Sequence, residues 1–453
     1  MRTLTAIVLV SALLLSLKVE LLPGFALVPT ASSTPFKVVR GNGMPVLLVP
    51  YQASGGSGSC NFGWWRELLG VTTANENGLD GKGVKVLVID SGVDEKVIEE
   101  VFGRKVDWYY NASYEAWKGQ CKDYKFFNRI KYCILDEENI GWRKVYYAVP
   151  VNSTTDAFGH GTAVASMILS IAPNVTLYVA KVGIAKIITD PNGTVIAIEY
   201  TVDPISLSYA LYYATAGPDG KPNTQDDPDV VNMSLGAITV LPQPGTVDLV
   251  GDLLTYYFAK LPIDMNSGRM VFVAAAGNSK ENIPATPAIF PDVIAVSAVK
   301  YSNGTFVPAF FTNKGLGIDF AGIGSGVYLP VPINSSIAKL IPDPCAKKGK
   351  YYVMVRLDGT SFAAPMVTGI VALYLQAGAR KSDVVKLMAR NVIDVPPQGK
   401  DWETGYGVPK APQGAVGSDN AELVLPLIPF LLKRKFLLNF SKAKRSGRQR
   451  EAQ

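Results

Sequence analysis

The sequence GKGVKVLVIDSGVD, residues 81–94, decides the fold. Its central run, residues 84–89, is almost continuously apolar and rich in β-branched side chains, which is typical of a parallel strand buried on both faces. Four later segments repeat this pattern, and helical patterns such as residues 160–172 and 246–261 separate several of them. Strands that alternate with helices predict an α/β fold, a doubly wound and mostly parallel sheet with helices on both faces. The four segments are VTLYVAKVG (175–183), DVVNMSLG (229–236), RMVFVAAAGNS (269–279) and DVIAVSAVK (292–300).

The charge of the chain is concentrated at one end. The 453 residues carry a formal net charge of +6. Residues 433–453 hold eight Lys or Arg and one Glu, a net charge of +7, so residues 1–432 carry about −1. An enzyme that binds nucleic acid is expected to place its positive charge around its site. The near-neutral body therefore argues against a nucleic-acid partner.

Both termini have patterns of their own. Residues 1–20 contain an apolar run flanked by Arg2 and Lys18, which predicts a secretory signal peptide or an N-terminal anchor. Residues 21–63 follow as a short N-terminal extension or pro-segment. Residues 417–453 join an apolar run, too short to span a bilayer, to a basic cluster; this tail could lie on an anionic membrane surface, belong to a sorting signal or be disordered. These segments predict an extracytoplasmic protein, secreted or held at the cell surface.

The chain has four cysteines, as is common in exported proteins that form disulfides. Cys121 and Cys133 bracket a short loop within residues 107–150, an aromatic and polar stretch without clear periodicity that predicts a surface excursion. These two cysteines are predicted to form a disulfide. Cys60 and Cys345 could form a long-range pair.

Three polar residues lie in similar settings beside glycines. Asp90 ends a buried strand, His160 opens a helix and is the only histidine of the chain, and Ser361 opens a second helix within residues 358–378. A serine hydroxyl needs a neighbouring base to act as a nucleophile. An imidazole can accept and return a proton near neutral pH, and a carboxylate can hold it in one tautomer. The three residues therefore predict nucleophilic catalysis at the carboxyl ends of the strands, where Asn278 and Ser234 also fall.

Five motifs, in the family's order, resemble those of the subtilisin-like serine proteases, the subtilases. The resemblance covers about residues 64–416, which are expected to form the catalytic domain. VLVIDSGVD (86–94), GHGTAVASM (159–167) and DGTSFAAPMVTG (358–369) are similar to the family's Asp, His and Ser motifs, and VVNMSLG (230–236) and VAAAGNS (273–279) are similar to its substrate-binding segments.

The resemblance implies a role for each matching residue. Ser361 would be the nucleophile, His160 the general base and acid, and Asp90 the residue that orients His160. Asn278 would donate a side-chain N–H to the oxyanion, together with the backbone N–H of Ser361. The segment VVNMSLG (230–236) would be an edge strand that pairs with the substrate backbone. Ala275, Ala276 and Gly277 are small, which implies an open, apolar pocket beside them for large uncharged side chains. The implied substrate-binding residues are Ser234, Leu235, Gly236, Ala275, Ala276 and Gly277.

The chain departs from the family pattern at several positions. The family commonly has histidines where this chain has Ala163 and Met366, a serine where it has Asp358, and a methionine where it has Phe362. The Asp358 carboxylate is expected to lie close to the site and could alter the pH profile. Residues 21–63 are too few for the family's full prodomain, so we expect a short or divergent pro-segment, or folding without one.

The turn GPDGKPNTQDDPD, residues 217–229, resembles calcium-binding loops of extracellular proteins. Oxygen-bearing side chains at short spacing suit Ca²⁺, and the alternative is a solvated acidic turn. An ion at this place could stiffen the substrate-binding edge that follows. The residues that would bind calcium are Asp219, Asn223, Asp226 and Asp227. No cofactor is expected to be required for the catalytic chemistry.

These features together predict an exported, monomeric serine endopeptidase that cleaves polypeptide substrates through an acyl-enzyme. One alternative is a catalytically silent surface protein of the same fold that binds peptides. The other is an esterase or acyltransferase that uses the same triad. The intact triad and Asn278 argue against the first, and the SLG motif at residues 234–236 favours extended peptides over small esters.

Overall fold

The structure, a computed structural model, describes residues 37–41, 44–48, 63–152, 154–236, 256–341 and 348–416. Strands and helices are numbered in chain order. The strands are β1 (Lys37–Gly41), β2 (Met44–Leu48), β3 (Lys85–Asp90), β4 (Trp108–Tyr110), β5 (Asp123–Phe127), β6 (Ile130–Ile140), β7 (Arg143–Pro150), β8 (Thr176–Lys181), β9 (Ile184–Thr189), β10 (Val195–Thr201), β11 (Val230–Met233), β12 (Val271–Ala275), β13 (Val293–Ser302), β14 (Thr305–Pro308), β15 (Phe320–Ile323), β16 (Ser325–Pro332), β17 (Tyr352–Asp358), β18 (Val392–Ile393) and β19 (Val408–Pro409). The helices are α1 (Trp65–Leu68), α2 (Val71–Glu76), α3 (Glu95–Phe102), α4 (Ala112–Trp117), α5 (His160–Ile171), α6 (Pro204–Tyr213), α7 (Leu261–Asn266), α8 (Ser336–Leu340), α9 (Thr360–Gln376) and α10 (Val384–Met388).

The central sheet has the strand order β14-β13-β12-β11-β3-β8-β4, with β15 paired to β13. Its strands pair in parallel, apart from β14, which is antiparallel to β13. The buried strand expected at residues 84–89 is β3, which lies between β11 and β8. The prediction of an α/β fold with a mostly parallel sheet is confirmed.

Successive side chains of β3 point into two different cores. Val86 and Val88 belong to a core cluster that includes residues of α5 and α9. Leu87 and Ile89 belong to a second cluster that includes residues of α6 and α7. Since alternate residues of a strand point to opposite faces, helices cover both sides of the sheet. This arrangement explains why the β3 sequence is apolar throughout and does not alternate.

Helices α5 and α9 cross in close contact. Both are almost wholly buried, and their sequences are accordingly apolar on every face. At the crossing, a Cβ added to Gly369 would lie 2.8 Å from Cβ of Ile171. A side chain at this position would push the helices apart, because interiors are close-packed. Gly369 therefore allows α9 to pack closely on the C-terminal end of α5, the end opposite His160.

A second, antiparallel sheet has the strand order β10-β9-β7-β6-β5. Strands β5–β7 lie within residues 107–150, the stretch expected to be a surface excursion, whereas β9 and β10 follow α5 in the chain. Pairing between β7 and β9, which includes Tyr147 with Lys186, joins these two parts into one sheet. The predicted disulfide between Cys121 and Cys133 is formed here, with the two Cα atoms 5.3 Å apart.

Several predictions fall outside the described residues. They concern the signal peptide or anchor, almost all of the N-terminal extension, the Cys60–Cys345 pair, most of the helical pattern at residues 246–261, and the C-terminal tail. Within the described ranges, none of the helices combines the length and the apolar character needed to cross a membrane.

Candidate active site

Asp90 and His160 meet at the carboxyl end of the central sheet. Asp90 is the last residue of β3, and His160 is the first residue of α5. Both side chains are buried, and His160 Nδ1 lies 2.8 Å from Asp90 Oδ1. The backbone N–H of Ser91 donates to the same oxygen over 2.7 Å. Because an ionised carboxylate can only accept, the imidazole carries its proton on Nδ1, and Nε2 is the basic nitrogen.

Two glycines allow these segments to approach each other. Gly159, which precedes α5, has φ +98°, a left-handed conformation that residues with side chains rarely adopt. A Cβ added to Gly161 would overlap the carbonyl oxygen of Gly92 and lie 3.1 Å from Cβ and Oδ1 of Asp90. The turn that carries His160 can therefore contact Asp90 only because residue 161 has no side chain.

Ser361 is the second residue of α9, and the residue that follows it contacts His160. The ring of the next residue, Phe362, is 5.4 Å from the ring of His160, centroid to centroid. Ser361 is buried, and within the described part of the chain its Oγ has no hydrogen-bond partner. The Ser361 hydroxyl therefore makes no hydrogen bond to the imidazole in this structure. Catalytic hydrogen bonds are often long until substrate binds.

Asn278 is held by the residue before Ser361. Its Oδ1 accepts hydrogen bonds from the backbone N–H and the hydroxyl of Thr360, both over 2.8 Å. The Thr360 hydroxyl oxygen in turn accepts from the backbone N–H of Gly277 over 3.1 Å. With Oδ1 fixed, Nδ2 lies 3.5 Å from the position that a Cβ on Gly359 would occupy. This N–H group and the positive N-terminal end of α9 are suited to stabilise a negatively charged oxygen.

The residues that the resemblance implies for substrate binding lie at the ends of two neighbouring strands. Residues 234–236 follow β11, and residues 275–277 end and follow β12. All six are buried. Asn232 donates to Ser234 Oγ over 2.9 Å and accepts from Thr368 of α9 over 2.9 Å, so α9 also holds the end of β11. The expectation of an edge strand here is wrong, because β11 pairs with β12 on one side and with β3 on the other; residues 234–236 lie beyond this pairing. The open apolar pocket beside these residues stays a prediction.

Asp358, one of the departures from the family pattern, ends β17. Its Oδ1 accepts from the Ser325 hydroxyl over 2.6 Å and from the backbone N–H of Gly326 over 2.8 Å. The carboxylate therefore joins the two strands of the β16–β17 hairpin, and its effect on the pH profile stays a prediction. The other departures, Ala163, Met366 and Phe362, are buried in the core.

The acidic turn at residues 217–229 satisfies its carboxylates with its own groups and with three cations: Arg269 pairs with Asp227, and Lys85 and Lys381 pair with Asp229. Asp226 accepts from the Thr224 hydroxyl and from the backbone N–H of Asp219, which lowers its pKa. Asp227 pairs with Arg269 and accepts from the backbone N–H of Asn223 over 2.8 Å. Across the described ranges, no cluster of three or more His, Cys, Asp and Glu side chains is arranged to hold a metal ion. Calcium binding at this turn stays a prediction.

Two buried charged residues beside the Asp90–His160 pair were missed by the sequence analysis. Asp156 lies four residues before His160, and Lys181 ends β8. Burial raises the pKa of Asp156 and lowers the pKa of Lys181 to about 8. The sequence held a signal for Lys181, since a lone charged residue within an apolar, buried run such as residues 175–183 is rare unless it is paired. Asp156 follows the polar residues 152–155 and gave no such signal.

Comparison with known proteins gives an independent finding. A family model described as the Subtilase family matches residues 81–407, well over half of the chain. Subtilisin-like protease PopC of Myxococcus xanthus is 27% identical over 339 residues, which are 73% of this chain and 58% of that protein. Subtilisin DY of Bacillus licheniformis is 30% identical over 235 residues, 49% of this chain and 65% of that protein. The chain thus spans less than two thirds of the length of these relatives.

A solved structure of a lanthipeptide protease has a similar fold. Its TM-score is 0.51 and its sequence identity 21%, over 77% of this chain and 94% of that one. At this identity the likeness concerns the fold alone, and it agrees with the mostly parallel central sheet described above.

Proposed function

The chain belongs to the subtilase family, and from this premise we propose that it is a serine endopeptidase that hydrolyses peptide bonds through an acyl-enzyme on Ser361. The observation that supports the proposal most directly is the buried contact of 2.8 Å between Asp90 and His160. Water is excluded from both side chains, so the attraction between the carboxylate and an imidazolium is stronger than it would be at the surface.

The proposed reaction begins with attack by Ser361 Oγ on the carbonyl carbon of the peptide bond. His160 Nε2 takes the hydroxyl proton as the new C–O bond forms, and Asp90 stabilises the resulting imidazolium. The imidazolium then gives this proton to the leaving amine as the C–N bond breaks. A water molecule repeats the sequence on the acyl-enzyme and releases the carboxylic acid.

Negative charge that develops on the carbonyl oxygen needs preorganised donors. Asn278 Nδ2 and the backbone N–H of Ser361 would supply two, and the hydrogen bonds from Thr360 to Asn278 Oδ1 support this orientation of the amide. Thr360, which fixes Asn278, and Ser361 begin the same helix, so both donors would already be in place before the reaction.

The proposed substrates are polypeptides in an extended conformation. Residues 234–236 would pair with the substrate backbone, which makes recognition partly independent of sequence. Residues 275–277 are small and would leave room for a large uncharged side chain before the scissile bond. We expect no added cofactor to be required.

Export to an oxidising compartment is part of the proposal. The disulfide between Cys121 and Cys133 supports it, since such bonds are rare in reducing compartments. The protein would be secreted or held at the cell surface, where residues 417–453 could contact an anionic membrane. We expect the enzyme to act as a monomer.

The test is incubation of the purified protein with a denatured protein substrate, followed by sequencing of the cut sites. Cleavage by the wild type and none by Ser361→Ala would support the proposal, and large uncharged residues before the cuts would support the pocket. A phosphonylating serine reagent should label Ser361, as read by mass spectrometry. Labelling without cleavage of any polypeptide would favour the esterase or acyltransferase alternative, and absence of both would favour the silent binding protein.

A further inference from the structure

The Asp156 carboxylate accepts four hydrogen bonds within the protein interior. Oδ1 accepts from the Ser91 hydroxyl over 3.0 Å and from the backbone N–H of Gly159 over 2.8 Å. Oδ2 accepts from the backbone N–H and the hydroxyl of Thr162, over 2.9 and 2.8 Å. Gly159 and Thr162 flank His160, so this one carboxylate fixes the turn that presents the imidazole.

The same carboxylate also fixes the segment that carries Asp90. The Ser91 hydroxyl oxygen, besides donating to Asp156, accepts from the backbone N–H of Gly161 over 3.0 Å. The Thr162 hydroxyl oxygen accepts from the backbone N–H of Asp94 over 3.0 Å. Asp156 therefore connects the chain on both sides of His160 to the chain just after Asp90.

Lys181 joins the two segments from the other side. Its Nζ donates to the backbone carbonyl of Asn152 over 2.8 Å and to that of Thr155. A Cβ added to Gly92 would overlap the Lys181 side chain and lie 2.9 Å from the Thr155 carbonyl oxygen. The ammonium thus lies between the loop after Asp90 and the residues that lead into Asp156.

Two opposite charges are therefore buried next to the Asp90–His160 pair. Burial is the main cause that raises the pKa of Asp156, and the charge of Asp90 adds to it; burial lowers the pKa of Lys181, and the charges of Asp156 and Asp94 oppose that change. Burying charge is costly even when it is paired, and apolar side chains of similar size are often as stabilising. A requirement for geometry accounts for charged groups at this place better than a requirement for stability.

We propose that Asp156 and Lys181 are positioning residues for peptide hydrolysis, which hold the segments of Asp90 and His160 at the separation where the 2.8 Å contact forms. This inference rests on the proposed function. Neither residue is placed to touch the substrate, and both act through the catalytic pair.

Asp156→Asn is the first test, because it keeps the shape and replaces one acceptor oxygen with a donor that faces two N–H or O–H groups. Misplacement of a catalytic group by about 1 Å can lower a rate by about 10²-fold, so kcat should fall by about that factor. KM should stay near the wild-type value, because residues 234–236 and 275–277 are not touched. The acid limb of the pH profile of kcat/KM should move to lower pH, since a negative charge near the imidazolium has been removed.

Lys181→Met removes the positive charge and keeps most of the volume. It should also lower kcat more than it changes KM, and it should move the acid limb in the opposite direction, to higher pH. Opposite shifts in the two variants are not expected from a general loss of packing.

Asp203→Asn is the matched control. Asp203 immediately precedes α6 and caps its N-terminus. It accepts hydrogen bonds from the backbone N–H of Ser206 and from Trp117 Nε1, and burial raises its pKa, as it does for Asp156. This control should lower the melting temperature and leave kcat unchanged. Equal kcat values for Asp156→Asn and Asp203→Asn, with wild-type pH profiles, would overturn the inference.

A second variant covers the case in which Asp156→Asn does not fold. Ser91→Ala removes one of the four hydrogen bonds to Asp156, together with the bond from the backbone N–H of Gly161, and should lower kcat by a smaller factor at an unchanged KM. A wild-type kcat for a folded Ser91→Ala would then overturn the inference. A wild-type protein that shows no cleavage dependent on Ser361 would instead overturn the proposed function, and the inference with it.

Discussion

Replacing Gly161 with alanine is expected to separate Asp90 from His160. The added Cβ would overlap the carbonyl oxygen of Gly92 and lie 3.1 Å from both Cβ and Oδ1 of Asp90. The Gly92 oxygen belongs to the backbone, so no side chain can turn away to make room. The start of α5 must move away from the loop after β3, on the order of 1 Å.

The expected change in stability has two opposing contributions. Alanine is favoured over glycine within a helix by roughly 0.5–1 kcal/mol. Overpacking of a close-packed site costs roughly 1–3 kcal/mol, so the variant should be less stable by up to about 2 kcal/mol. That loss corresponds to a few degrees in melting temperature for a domain of this size. The effect on catalysis should be larger, about 10²-fold in kcat, because the displaced group is the proposed general base.

The assay is the steady-state cleavage of a peptide substrate, with melting temperature measured on the same samples. Gly369→Ala is the matched control, since its Cβ would lie 2.8 Å from Cβ of Ile171 and overpack α5 at its opposite end. It should lose similar stability and keep a near-normal kcat. A Gly161→Ala variant with wild-type kcat, or a Gly369→Ala variant with an equal loss of kcat, would refute the link between the close approach at residue 161 and catalysis.

Three further outcomes are expected. Asn278→Ala should lower kcat by roughly 10²–10³ with little change in KM, as measured by steady-state kinetics, and an unchanged kcat would mean that the amide does not face the oxyanion. Lys181, with a pKa of about 8 in the folded protein and 10.5 as its ordinary value, should make the free energy of unfolding rise with pH in that window, since only the unfolded state keeps the proton there. The rise should be at most about 1.4 kcal/mol per pH unit in denaturant titrations and be absent from Lys181→Met; equal slopes for both proteins would contradict it. Chelation should lower the melting temperature if the turn at residues 217–229 holds calcium, and identical melting curves would argue against an ion there.

Five strands of the central sheet could be predicted from the sequence because they are buried on both faces along most of their length: β3, β8, β11, β12 and β13. Burial of this kind selects for continuous apolar runs, as in residues 84–89, which can be recognised without knowing the neighbouring strand. The outer strands β4 and β14 are partly exposed and were not predicted. The antiparallel sheet could not be predicted in this way. Its strands β7 and β9 pair with each other although α5 and β8 lie between them in the sequence. Strands of this sheet are also partly exposed, so they have no continuous apolar run.

The candidate site likewise contains residues that the sequence reveals and residues that it does not. Asp90, His160 and Ser361 could be proposed from the sequence because each lies near glycines at the end of a strand or the start of a helix, in a motif that resembles those of the subtilases. Asp156 and Lys181 were missed, because their partners are mostly backbone groups and hydroxyls that fold in from other segments. A backbone N–H or carbonyl is present at almost every residue, so the sequence gives no sign of which one a buried charge will find.

The way α9 is anchored determines which motion can complete the proposed triad. Thr360 is bonded to Asn278, Thr368 is bonded to Asn232, and Gly369 packs directly on α5, so the helix axis has little freedom to slide or tilt. Rotation of Ser361 about its Cα–Cβ bond remains as the accessible movement. Side-chain rotamer changes are among the fastest motions in proteins, whereas helix shifts take microseconds or longer. Movement of the proposed nucleophile toward His160 should therefore keep pace with substrate binding and should not limit turnover.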